Sequence, residues 1–324
     1  MSAPTGAGNR LFEPRRFAVV ATLTMATTAT GLVIPVPAWL AAGIALVVIA
    51  VLGIPHGALD YAIATGRNTA RRSRFVLSYL GALVAMGLAW LAAPQLALAG
   101  FLVMSIHHFG QSDLAYLQMT SPRQVLLQWS RGILVVGLPL VAHLHDVAPV
   151  VAQLGAPDPT AWAWLAGHQA AWCSAIIGQQ LAVLLLCSRQ MANGIGFEVT
   201  AVALLSTLFV IADPLIAFAV YFGLWHAHAH LLVVAEQLGE SERPIRSALR
   251  RSAPVSIVAL AAMVIASAVL LGRGRPDLIV PMAFVALSML TVPHLAVVEQ
   301  LWRRPLRSTP ANSTADLEFA SVRK

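Results

Sequence analysis

Seven of the ten histidines in this 324-residue chain stand in four short stretches within or at the ends of apolar runs. The stretches are "GIPHGALDY" at 53–61, "SIHHFGQSD" at 105–113, "YFGLWHAHAHLLVV" at 221–234 and "TVPHLAVVE" at 291–299. An imidazole is costly in an apolar setting unless something binds it. A single membrane histidine is satisfied by an inter-helix hydrogen bond, but several at one place point to a metal ion. His226 and His230 are four residues apart, which puts both on one helix face, one turn apart, where two imidazoles can bind one ion. His228 lies about 200° round the helix from His226 and faces elsewhere. His107 and His108 are about 100° apart, so only one of them points straight into a shared centre.

The expected ligands are therefore His56, His108, His226 and His230. His107, His228 and His294 stand between ligand and packing roles, while His143, His145 and His168 are read as ordinary polar contacts. Asp60 and Asp113 follow two of the boxes. A ligating histidine usually gives its other N–H to a carboxylate, and Asp60 is four residues from His56; the alternative for both aspartates is helix-end capping. Gly57 and Gly110, each close after a histidine, would admit a neighbouring backbone. An all-imidazole set suits iron, zinc, copper or nickel, and the lack of clustered thiolates or carboxylates argues against soft-metal and calcium sites. Four imidazoles with open positions suit iron that must bind dioxygen; ligand type leaves zinc open.

The elements that must position these residues are membrane helices. Hydrophobic residues make up 58% of the chain and charged residues 11%, against roughly 25% charge in an average soluble domain; the mean hydropathy is +0.75. The expected fold is an all-α, polytopic membrane bundle of about ten spans. They lie near 17–35, 38–57, 75–93, 95–112, 125–144, 161–187, 195–212, 214–236, 254–272 and 278–302. One membrane domain (17–302) is thus flanked by tails at 1–16 and 303–324, with the first run read as an uncleaved helix and the stretch from Asp146 to Asp158 as a loop. Cys173 and Cys187 share one apolar run and read as packed thiols. The net charge of +7 comes from arginines in loops and tails, the pattern of positive-inside topology, with no aromatic-interleaved basic patch for a nucleic acid. Arg10, Arg15 and Arg16, the cluster Arg67, Arg71, Arg72 and Arg74, then Arg123, Arg189, the run Arg243 to Arg251 and the C-terminal basic residues fall on one side; only Arg273 and Arg275 fall on the other. The expected topology is N-in, C-in. The histidine-bearing spans two, four, eight and ten then all run the same way. Counted from the span starts, His56 lies roughly 27 Å down its helix, His108 roughly 20, His226 roughly 18, and His230 and His294 roughly 24, a shared depth in the cytoplasmic half.

At these residues the chain resembles the Brp/Blh family of membrane β-carotene 15,15′-dioxygenases. "PHGALD" is similar to the family's His-Gly-x-x-Asp box, "HHFGQSD" to its His-Phe-Gly box, "FGLWHAHAHL" to its Phe-x-x-x-His-x-x-Arg-His-Leu box and "TVPHL" to a late Pro-His element, in the family's order from about 53 to 295. Ala229 stands where the family has Arg, and His107 where an aromatic residue is common. The resemblance implies Fe(2+) held by His56, His108, His226 and His230, in a multi-pass protein of the inner cell membrane. It also implies O2-dependent cleavage of the central double bond of β-carotene or a related carotenoid to retinal. A retinal-binding rhodopsin is a candidate partner. Phe109, Tyr221, Phe222, Trp225, Phe284 and Met289 are candidate tunnel walls by their closeness to the boxes. The competing classes are a di-iron desaturase or hydroxylase, which needs HxxHH patterns that this chain lacks, a bis-histidine haem protein, and a non-catalytic carotenoid-binding or transport protein.

Overall fold

The computed structural model describes residues 14–65, 69–114, 117, 122–155, 158–191, 194–237 and 244–303, all helix and connecting turn, with no strand among them. The two tails lie outside these residues except for 14–16 and 303, and so do Arg10, Arg67 and Arg243 of the basic loops. The helices are α1 (Pro14–Val33), α2 (Ala38–Ala58), α3 (Asp60–Thr65), α4 (Thr69–Ala92), α5 (Pro94–Asp113) and α6 (Pro122–Ala142). Then come α7 (Leu144–Gly155), α8 (Pro159–Gly167), α9 (Gln169–Cys187), α10 (Ile195–Ile211), α11 (214–237), α12 (Pro244–Gly272) and α13 (Ile279–Arg303).

Eight of these helices, α1, α2, α4, α6, α9, α11, α12 and α13, are long and apolar enough to cross a bilayer. α10 is apolar but 17 residues long, and α5 ends in the polar sequence HHFGQSD. All ten apolar runs are thus helical, and the chain is an all-α multi-pass membrane protein. No residue in the most apolar stretch of α12 is buried within the molecule, and Ile257, Val258, Val264 and Ile265 stand exposed on it, a surface suited to lipid. Two expectations need correction. The run 161–187 is two helices, α8 and α9, broken at His168, whose Nδ1 is 2.8 Å from the carbonyl of Trp164. The stretch expected as a loop after Asp146 is mostly α7, because Leu144, Val147 and Leu154 recur at helical spacing and bury one face.

Contacts between side chains fix the relative direction of the histidine-bearing helices. Phe218 and His230 of α11 meet Phe284 and His294 of α13. His108 and Gln111 of α5 meet His294 and Glu299 of α13. Leu52 and His56 of α2 meet Gly223 and His230 of α11. Rising numbers meet rising numbers each time, so α2, α5, α11 and α13 run in one direction, as expected from the sequence. α4 runs against them: its Tyr79 lies by Asp60 near His294, while its Trp90 bonds Ser288.

Candidate metal centre

Two glycine seams set close helix approaches beside the imidazoles, one of α5 on α6 and one of α2 on α11. A Cβ on Gly110 would fall 1.8 Å from the carbonyl oxygen of Gln128, and one on Gly132 would fall 1.8 Å from that of Ile106. α5 and α6 therefore touch backbone to backbone, with glycine hydrogens pointing at carbonyl oxygens. Between α2 and α11, a Cβ on Gly53 would meet Phe222 at 2.6 Å, and one on Gly223 would meet Val48 at 2.9 Å. Gly57, expected to admit a neighbour, has nothing within 4 Å of such a Cβ, since it points away from the packed seam.

Beside these seams five buried imidazoles from α2, α5, α11 and α13 gather: His56, His108, His226, His230 and His294. Ring centroids stand 4.9 Å apart for His56 and His294, 5.0 Å for His108 and His294, and 4.9 Å for His108 and His226. His230 lies 5.5 Å from His56 and 5.3 Å from His294. One nitrogen each from His56, His108 and His294 lies within 4.8 Å of the other two, a group that could hold a metal ion. Among these five rings, the buried nitrogens without a hydrogen-bond partner are Nδ1 of His56 and His108, both nitrogens of His226 and His230, and Nε2 of His294. Buried polar atoms are nearly always partnered, and each of the five neighbouring rings has at least one nitrogen that is not, which fits a metal ion taking one nitrogen from a ring.

Two Tyr–Asp arms flank the centre. Asp60 accepts from Nδ1 of His294, whose distances to the two carboxylate oxygens are 2.9 and 3.0 Å, and from the Tyr79 hydroxyl at 3.2 Å. Asp113 accepts from the Tyr221 hydroxyl at 3.0 Å and stands 3.5 Å from Nδ1 of His226, long for a hydrogen bond. Each aspartate thus faces a histidine of another helix. This corrects the pairing of Asp60 with His56: at the end of α2 the α-helix stops at Ala58 and restarts at Asp60, which turns the carboxylate towards α13.

The other histidines are placed elsewhere. Nε2 of His107 lies 3.1 Å from Glu299, which also accepts from Gln111 at 2.8 Å. His143 contacts the carbonyl of Phe209 at 2.9 Å, His145 is fully exposed beside Asp146, and His228 is half-buried. Of the proposed walls, Phe109 stands edge-on to His226 at 4.6 Å, and Phe222 lies 5.7 Å from His56 and stacks on His226 at 5.8 Å. Phe284 reaches the centre only through Phe218, 5.8 Å away, which stacks on Phe222. Trp225 faces α1, donating to Thr24 at 3.1 Å. Met289 lines a separate apolar cleft of about 450 Å³ with Trp90, Leu154 and Val285. Tyr79 and the buried ion pair of Arg131 with Glu198 are not among the residues expected at the site. The pair had a signal, a lone charge in each of two apolar runs; Tyr79 had none.

The pattern of the family described as Beta-carotene 15,15'-dioxygenase matches residues 47–302, which takes in all four histidine boxes. The chain belongs to this family. One relative, named Beta-carotene 15,15'-dioxygenase, from an uncultured marine bacterium 66A03, is 28% identical over 80% of this chain and 93% of its own length. Another, named Probable beta-carotene 15,15'-dioxygenase Blh, from Halobacterium salinarum, is 28% identical over 76% of this chain and 80% of its own. No solved structure matches the chain. The family match covers the part of the molecule in which the five imidazoles meet, and the Tyr–Asp arms lie within it as well.

Proposed function

We propose that this centre holds ferrous iron through His56, His108, His226 and His230, and that the protein cleaves the central 15,15′ double bond of β-carotene with dioxygen. Both oxygen atoms enter the products, two molecules of all-trans-retinal. The observation that carries the reading is the cluster of buried imidazole nitrogens without hydrogen-bond partners, on helices of a family whose named relatives are β-carotene dioxygenases. Four neutral imidazoles and no thiolate suit iron in an oxygen-dependent reaction. When bound, the iron supplies the electrons that make dioxygen reactive towards an alkene.

The chain's own residues do the rest. Burial of all five histidines keeps water from the reacting carbon atoms. Phe109 and Phe222, packed on the imidazoles, offer flat apolar walls to a polyene. The Tyr221–Asp113 contact holds a carboxylate beside His226. A carotenoid is a rigid rod of about bilayer thickness, so regiospecificity becomes a matter of where along the membrane normal the centre sits. With both termini on the cytoplasmic side, as the arginines favour, the protein would work in the inner cell membrane and pass its retinal to a retinal-binding protein such as a rhodopsin.

The test is expression in a β-carotene-accumulating bacterium, with pigments resolved by chromatography. Loss of carotene with appearance of retinal, both abolished in His226→Ala, is the expected result. Unchanged carotene beside iron-loaded purified protein would refute the substrate; products of unequal length would refute central cleavage.

A further inference from the structure

The three nitrogens that come within 4.8 Å of one another belong to His56, His108 and His294, and the third lies outside the four-histidine set proposed above. We propose that His294 is a further ligand of the same metal through Nε2, and that Asp60, itself held by Tyr79, is the residue that positions it. This rests on the functional reading only in assuming that a metal is bound.

Four observations converge on His294. It is buried, 5% exposed, among the other imidazoles. Its Nδ1 is committed to Asp60, with both carboxylate oxygens within 3.0 Å. A carboxylate accepts only, so Nδ1 carries the proton and the Nε2 lone pair is free to coordinate. That Nε2 has no hydrogen-bond partner, although it faces His56, His108 and His230, whose ring centroids lie 4.9 to 5.3 Å away. A packing histidine anchored by an aspartate would turn its second nitrogen to a donor; this one turns it to other imidazoles.

The anchor is built from a different part of the chain than the ligand. Asp60 begins α3, is 1% exposed, and has its second partner in the Tyr79 hydroxyl of α4. Tyr79, Asp60 and His294 thus form a line of hydrogen bonds from α4 to the centre. The line fixes the tautomer and ring plane of the imidazole and raises its basicity, the usual service of a carboxylate behind a ligating histidine. His226 and Asp113 form a looser counterpart on the other side, at 3.5 Å.

The experiment uses the full-length protein in detergent, stripped of metal and titrated with Co(II) against a chelator, so that affinity and the visible ligand-field spectrum are read without turnover. His294→Ala is expected to lose at least tenfold in affinity and to change the spectrum, and added imidazole is expected to restore both. Asp60→Ala should lose 10- to 100-fold. Asp60→Asn, which keeps an acceptor for Nδ1–H, should lose less and keep the spectrum, and Tyr79→Phe should lose least. If His294→Ala binds Co(II) with wild-type affinity and spectrum, the assignment is overturned. An affinity loss that imidazole does not rescue, with an unchanged spectrum in the residual complex, overturns it as well, since only packing was then lost. Wild-type protein that takes no Co(II) sinks both this inference and the functional reading. Wild-type protein that binds through His294 but leaves carotene intact sinks the functional reading alone.

Discussion

Two glycines stand just after proposed metal ligands, and the structure assigns them opposite consequences. Gly110, two residues beyond His108, faces the backbone of α6: an alanine Cβ there would lie 1.8 Å from the oxygen of Gln128, 2.7 Å from its carbonyl carbon and 3.1 Å from the nitrogen of Gly132. All three atoms are backbone, so no side chain can swing aside. Ordinary contact begins near 3.4 Å, so α5 must retreat from α6 by about 1.6 Å, and overpacking of this kind costs about 1–3 kcal/mol or more. A site tolerates displacement of its residues by only about 0.5 Å, and a misplacement of about 1 Å can cost on the order of 100-fold in rate. Gly110→Ala is therefore expected to fall in thermal stability, to retain little metal and to lose at least about 100-fold in carotene cleavage. Gly57→Ala, one residue after His56, meets nothing within 4 Å and gains up to about 1 kcal/mol of helix preference. Metal content of the purified variants is the deciding readout, because open space beside Gly57 is room that substrate could use. A Gly110→Ala protein with wild-type metal content and melting temperature would refute the argument that this backbone contact sets the position of His108.

Four further outcomes follow from the same geometry. His226→Ala and His230→Ala should each abolish iron retention on purification, whereas His143→Ala should keep its iron and lose about 1 kcal/mol with the contact to Phe209, measured by thermal unfolding in detergent. Glu198→Ala leaves the Arg131 guanidinium buried without its carboxylate, and should destabilise the protein by about 3–5 kcal/mol, with Glu198→Gln less harmful in the same assay. His107→Phe removes only the contact with Glu299, and should retain metal by elemental analysis. Trp225→Phe gives up the hydrogen bond to Thr24, worth about 0.5–1.5 kcal/mol, and should leave the pigment products unchanged on chromatography.

The centre was legible where chemistry and period coincide. His226 and His230 share a face because four residues nearly complete a turn, and apolar surroundings made their cost visible before any contact was known. The depth of His56, His108 and His294 followed from counting along apolar runs, and the common direction of their helices is now seen in their contacts. What stayed hidden was pairing across helices. Asp60 reads as the neighbour of His56 along the chain, yet it serves His294, 234 residues away; spacing within one helix says nothing about which helix turns towards it. Gly57 and Gly110 look alike in sequence for the same reason, since only the seam between α5 and α6 separates a buried glycine from an open one.

The three π turns among the described residues show how far local sequence reaches in this molecule. In α2 the turn Ile49–Gly53 ends two residues before Pro55, and in α6 the turn Ile133–Gly137 ends two residues before Pro139. A proline lacks its N–H and its ring crowds the preceding turn, so a widened turn there is relief that the sequence itself demands. The turn Tyr221–Ala227 in α11 has no such proline, and only the neighbours explain it. Gly223 lies against Val48 and Leu52, and Phe222 against Gly53, so the wide turn of α11 is pressed into the wide turn of α2. Tyr221, Phe222 and His226 all lie within it, which places the contact to Asp113, the wall against His56 and one imidazole in a single distorted turn. π turns recur at functional sites, and here the reason is mechanical: residues 222 and 226 share a face at regular pitch, while 221 and 226, about 140° apart in a regular α-helix, are brought towards that same face by the widened turn.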